Sequence, residues 1–152
     1  MRVHLGADHA AFDVKNAIAA ALRGRGWEVE DHGPAVFDPD DDYPCFVIPA
    51  AQAVVLDPGS FGVVLGGSGN GEAIAANKVK GVRAALVHNL ETARLAREHN
   101  DANVASIGAR QHSCDECVAL AVAFLLTPFS GGGRHVRRIG LLSQYEAVGR
   151  LG

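Results

Sequence analysis

No apolar run in this 152-residue chain approaches the roughly 18 residues that a membrane-spanning helix requires. The opening stretch MRVHLGADH is too short and too polar for a secretory signal, and the expected location is the cytoplasm. Excess positive charge is also lacking. The formal net charge is −3, which gives no electrostatic reason to bind nucleic acid or an anionic membrane. Cysteine is scarce, and its count of three is odd. Without a signal segment this argues for free thiols in a reducing compartment. Cys114 and Cys117 form a C-x-x-C, but Asp115 and Glu116 between them would raise the thiol pKa, and a zinc site would want more ligands than His112 adds. Two unremarkable thiols on a helix are expected. The acidic loop DPDDDYP is no calcium loop: Tyr43 stands where glycine is needed and Pro49 where glutamate is needed. There is no internal repeat and no low-complexity tract.

What remains is the composition of an ordinary globular protein, 48% apolar and 20% charged, of a length that suits a single domain over residues 1–152. Short β-rich runs alternate with helical patterns. RVHLGA, WEVED, FGVVL, VRAALV and NVASIG read as strands, each followed by a helical or loop segment. Asn89 is placed to cap the helix NLETARLAREH. Five alternations predict an α/β, Rossmann-like, five-stranded parallel sheet with helices on both faces. A last helix, about residues 133–150, follows a Gly-Gly-Gly hinge and has no strand after it. It is spare to the sheet and suits packing on a partner subunit. Ligands in such folds bind beyond the carboxyl ends of the strands. The residues to watch are therefore Gly6 to His9, Gly66 to Glu72, His88 to Asn89, and Gly108 to Arg110.

The segment GGSGNGEAIAANK follows a strand directly and opens a helix. Backbone amides there, with the helix dipole, make an anion cradle; the alternative is a tight turn with no ligand. Gly66 and Gly71 have the spacing of a nucleotide-binding P-loop, but Glu72 stands where that motif needs lysine. The dinucleotide pattern also fails, since Gly67, Gly69 and Gly71 are spaced by two. Glu72 is either a routine first-turn acid or a general base at the lip of the cradle, which the dipole would help keep ionised. Asp8 either caps a helix or joins the site with His9. His99 and Asn100 end a helix, and are expected on the same rim of the sheet as His9. Arg134 and Arg138 share a helix face, as a solvated patch or as a phosphate clamp.

Taken as a set, GADHA, DYP, GGSGNGEAIAANK, REHNDANV, IGAR and GGGRH with Arg138 resemble the type B ribose-5-phosphate isomerase family, which includes allose- and galactose-6-phosphate isomerases. The likeness runs almost end to end. It implies a Rossmann-like homodimer with shared active sites, tetramers being left open, that acts on a phosphorylated sugar with no cofactor and no metal. It also implies that Asp8 and His9 contact the sugar and its phosphate, and that His99 assists ring opening. By the same likeness Gly67, Ser68, Gly69, Asn70 and Gly71 would form the anion hole, and Asn100 would line the site. Arg110, Arg134 and Arg138 would hold the phosphate, the last two reaching in from the other subunit. Many members carry a cysteine base at the position of Gly66. This chain follows the branch with a glutamate at the position of Glu72. An isomerase of a six-carbon sugar phosphate and a non-catalytic sugar-phosphate binder are the alternatives.

Overall fold

The computed structural model describes residues 1–152. Five strands form one parallel sheet in the order β2-β1-β3-β5-β4. They are β1 (Arg2–Ala7), β2 (Glu28–Asp31), β3 (Phe61–Gly66), β4 (Ala84–Leu86) and β5 (Val104–Gly108). Six helices connect and flank them: α1 (Phe12–Gly24), α2 (Pro44–Leu56), α3 (Asn70–Ala76), α4 (Leu90–Asn100), α5 (Cys114–Leu126) and α6 (Gly133–Val148). The expected α/β architecture is borne out, with small shifts at the ends. Strand β1 covers RVHLGA in full, β4 keeps only three residues of VRAALV, and a 3-10 turn over His9–Ala11 precedes α1. No helix is long and apolar enough to cross a membrane.

Parallel strands covered on both faces have no polar side, which is why FGVVL is a continuous apolar run. Side chains alternate across it. Val63 and Leu65 point into a core shared with Leu5, Ile18, Leu22, Ile107 and Phe124. Val64 points into the second core with Val47, Ala50, Val54 and Val104. Helices α1, α4 and α5 cover the first face, and α2 and α3 the second. Strand β2, at one edge, is charged and mostly exposed, the usual protection of an unpaired edge.

Between β1 and β3 the chain reverses its direction of travel across the sheet. This opens a crevice at their carboxyl ends. The last helix, α6, adds nothing to the sheet. Within the chain it packs mainly on α4, and it leaves Leu141, Leu142, Tyr145 and Val148 exposed.

The cap expected at Asn89 is realised as a reciprocal box. Asn89 accepts from the Thr92 amide at 2.8 Å, and Thr92 Oγ1 accepts from the Asn89 amide at 3.1 Å. Replacing such a cap typically costs about 1 kcal/mol. Asn89→Ala is therefore expected to lower unfolding stability by about that amount in urea titrations at fixed protein concentration.

Candidate active site

Three loops converge at the carboxyl ends of β1, β3 and β5. Gly66 closes β3, opposite Gly108 of β5, and Ala7 of β1 lies opposite Leu65. Beyond them come Asp8 and His9, the glycine loop, and Arg110. The loops are tied by backbone bonds: the Ala109 amide donates to Gly66 O at 2.8 Å and the Arg110 amide to Gly67 O at 3.0 Å.

The glycine loop takes a shape that side chains would obstruct. Gly69 adopts φ +82°, and a Cβ there would lie 2.8 Å from Leu86 Cδ1 and 3.0 Å from the Ile107 carbonyl carbon. A Cβ on Gly71 would meet the ring of Tyr43 at 2.7 Å. Buried Ser106, under the loop, donates its hydroxyl to Gly69 O at 2.6 Å and fixes the turn from below. The amides of Gly67, Ser68, Gly69 and Gly71 find no acceptor within the protein, while that of Asn70 is used by Ser68 Oγ at 3.2 Å. Free donors on a tight loop are what an anion cradle consists of.

Glu72 follows in the first turn of α3 and is only 4% exposed. Its carboxylate occupies the space that a side chain on residue 66 would need. A Cβ on Gly66 would fall 1.8 Å from Glu72 Oε1 and 2.2 Å from its Cδ. Burial is the main influence on its ionisation and raises its pKa; its own backbone amide pulls the other way, and Asp8 adds to the rise. The help expected from the helix start is present in that amide but is the smaller influence. Desolvation outweighs the N-terminal donors of a helix only seven residues long.

Asp8 is buried and accepts from the Ala10 amide at 2.9 Å, so its capping role is real. His9 has an anchor that the sequence did not disclose. Asp41 Oδ1 accepts from the His9 amide at 2.9 Å and pairs with its Nδ1 at 2.7 Å. That hydrogen bond raises the His9 pKa above its ordinary value, against a smaller effect of burial. With Nδ1 held by Asp41, Nε2 is the nitrogen left to face a ligand. Arg110 lies alongside the glycine loop; its Nη1 is 3.5 Å from where a Cβ on Gly67 would be.

The remaining expected residues lie elsewhere. Helix α4 runs back antiparallel to the strands, so His99 and Asn100 at its end reach the amino-terminal rim, just before β5. The shared-rim expectation is wrong within one chain. A five-residue strand at about 3.3 Å per residue separates the rims by roughly 15 Å. His99 instead stacks on His135 of α6, with ring centroids 4.4 Å apart and planes 12° from parallel. Arg134 Nε is 3.4 Å from His135 Nε2, and Arg138 follows one turn on. Asn100 lines a cleft with Arg83, Leu142 and Glu146. Each chain thus carries two polar groups of residues on opposite rims: Asp8, His9, the glycine loop, Glu72 and Arg110 on one, and His99, Asn100, Arg134 and Arg138 on the other.

Sequence reasoning missed Asp41, Ser106 and the packing role of Tyr43. Ser106 left a signal, as the one hydroxyl in an otherwise apolar strand. The cysteines behave as expected: Cys45 and Cys114 are exposed, and burial pushes the Cys117 thiol up to about 11.

Glu72 has a consequence for stability. A carboxyl whose folded pKa is raised stabilises the fold below its unfolded value, and that contribution is lost as pH rises through the folded value. Glu72→Gln is expected to melt at a higher temperature than the wild type at pH 7. The gap should close below about pH 4, where both states are protonated. Thermal scans across pH test this; an unchanged or lower melting temperature at neutral pH contradicts it.

The model for the ribose/galactose isomerase family matches residues 3–142. A ribose-5-phosphate isomerase B of Mycobacterium tuberculosis is 54% identical over 146 residues, 96% of this chain and 90% of the relative. The solved ribose-5-phosphate isomerase B of Clostridium thermocellum superposes with a TM-score of 0.93 at 39% identity, over 99% of this chain and all of that one. The enzyme of Mycoplasma genitalium, solved with bound ribulose 5-phosphate, superposes with a TM-score of 0.92 at 38% identity over 97% of both chains.

Proposed function

The chain belongs to the ribose/galactose isomerase family, and from that premise we propose that it interconverts ribose 5-phosphate and ribulose 5-phosphate in the cytoplasm with Glu72 as the base. The observation that carries the reading is the buried Glu72 carboxylate, seated in the space left by Gly66 beside four free backbone amides.

The reaction moves two protons and a pair of electrons within the substrate. In the open-chain aldose, Glu72 takes the proton from C2. The C2–H electron pair forms the C1–C2 double bond, and the carbonyl pair moves onto O1. The resulting cis-enediolate carries its charge on O1 and O2, in reach of the Gly67 to Gly71 amides. The hydroxyl proton on O2 passes to O1, the C2 carbonyl forms, and Glu72 returns its proton to C1. Donors fixed where charge develops lower such barriers strongly, and loss of one costs about 10²–10³ in rate. The raised pKa of Glu72 suits both halves of the cycle, because a base nearer neutrality both accepts and returns a proton readily.

The phosphate needs cations. His9, whose protonated form Asp41 favours, and Arg110 provide them on this rim. Arg134 and Arg138 are exposed on the opposite rim, together with His99 and Asn100 for ring opening and positioning. In a homodimer with a two-fold axis, each chain lends one rim to each of two sites. The exposed apolar stripe on α6 supports this arrangement, since Leu141, Leu142, Tyr145 and Val148 would lie against the second copy.

Glu72→Gln keeps the shape of the side chain and removes its basicity. Its kcat on ribose 5-phosphate is expected to fall about 10²–10⁴-fold with substrate affinity retained, and exchange of the C2 proton with deuterated solvent should stop. The wild-type acid limb of kcat/KM should lie above the ordinary carboxylate range. Allose 6-phosphate, assayed alongside, should turn over more slowly. Near-normal kcat in the variant sinks the assignment of the base, and faster turnover of allose 6-phosphate sinks that of the substrate.

Shared sites make a separate prediction. Chains carrying Glu72→Gln mixed with chains carrying Arg138→Ala give heterodimers with one intact and one doubly defective site. Activity should return on mixing. Verified heterodimers that stay inactive would rule out the exchange of rims.

A further inference from the structure

Strands β1 and β2 are parallel, with His4 opposite Glu30. Register partners in a parallel pair project from the same face, and so do residues two apart on one strand. His32 continues the ladder past the end of β2, its amide donating to Leu5 O at 2.8 Å. His4, Glu30 and His32 are therefore gathered on the α2 side of the sheet. None of them takes part in the isomerase reading.

Their geometry is that of ligands around one point. His4 Nδ1 lies 3.1 Å from His32 Nε2 and 3.4 Å from Glu30 Oε2, and Glu30 Oε1 is 3.9 Å from His32 Nε2. Two imidazole nitrogens facing each other have one hydrogen bond to share, and the carboxylate beside them brings only acceptors. A divalent ion uses all three lone pairs at once. With metal–nitrogen bonds of about 2.0–2.1 Å, the edge of a tetrahedron is about 3.3 Å, close to the spacings found here.

The surroundings fit as well. His4 is 2% exposed, and its other nitrogen, Nε2, is buried without a hydrogen bond. It points toward Asp57 Oδ2, 3.4 Å away, which Arg2 Nη1 holds at 2.9 Å. Metal-binding histidines commonly turn their second N–H to such a carboxylate. Glu30 is open to solvent and leaves room for a water as fourth ligand.

We propose that His4, Glu30 and His32 form a binding site for a divalent transition-metal ion of the zinc type, with Asp57 orienting His4. Nitrogen donors favour zinc, cobalt or nickel over magnesium and calcium. The ion is structural. It fastens the edge strand β2, which is bonded on one side only, to β1 and, through Asp57, to the end of α2. His4 is four residues from Asp8, about 13 Å along the strand, so the ion lies apart from the rim that holds Glu72.

Zinc titration against a chromophoric chelator tests this on the full-length protein carrying Cys114→Ser and Cys117→Ser. One equivalent should bind. His32→Gln should weaken binding by more than the 10–100-fold typical of losing an outer partner, and Glu30→Gln should weaken it too. These two side chains are the outer members of the cluster, so their replacement spares buried His4. Zinc should raise the melting temperature of the parent protein but not of His32→Gln. Failure of the parent to bind zinc at micromolar concentrations, or an affinity in both variants equal to the parent's, overturns the proposal.

Discussion

A missing side chain organises the reactive rim. Residue 66 lies at the end of the central strand, where any Cβ would overlap the carboxylate of Glu72. Glycine there lets the carboxyl group fold back over the strand end instead of pointing to solvent. The burial that follows is what lifts its pKa. The other parts support this placement. Tyr43 packs on Gly71 in the first turn of α3, and Ser106 fixes the loop that leads into it. A sulfur on residue 66 and a carboxylate from residue 72 compete for the same volume. The two side chains are therefore mutually exclusive in this packing.

The path of the chain explains why the cationic and acidic elements separate. Right-handed crossovers return every helix antiparallel to its strand. Residues that begin a helix lie on one rim, and residues that end one lie on the other. His99 and Asn100 end α4, and α6 passes beside them. No rearrangement of a single chain joins them to Glu72 without breaking the sheet. The stacked rings of His99 and His135 show that this second rim is itself ordered. Burial, neighbouring His99 and the arginines all lower the His135 pKa, disfavouring a further positive charge in a cationic group.

Most of the fold was legible because the apolar runs and turn residues of the chain agree with one another. FGVVL and WEVED read as strands of an alternating α/β chain, and Asn89 was placed to cap. The glycine loop was legible too, through glycine density and the two nucleotide motifs it fails to match. The same-rim placement of His99 failed for a different reason: His9 follows a strand and His99 ends a helix, and in a parallel α/β sheet those two places face opposite rims. Asp41 was hidden because an acidic loop without periodicity does not reveal which of its carboxylates turns inward. The upward shift of the Glu72 pKa was not foreseen, because the helix dipole can be read from sequence and burial cannot. The grouping of His4 with Glu30 and His32 needed the β1–β2 register, which no local pattern supplies.

The placement of sulfur in this molecule bears on its chemical durability. Thiolates are the groups that peroxide and alkylating agents attack, in proportion to their ionised fraction and exposure. None of the three sulfurs lies on the loops after β1, β3 or β5 that hold Asp8, Glu72 and Arg110, and Cys117 is both buried and held in its protonated form. With glycine at residue 66, no sulfur occupies the space beside the Glu72 carboxylate, and the two exposed thiols on that rim, Cys45 and Cys114, stand in the first turns of α2 and α5. Oxidation of those thiols would leave the carboxylate of Glu72 itself chemically unchanged.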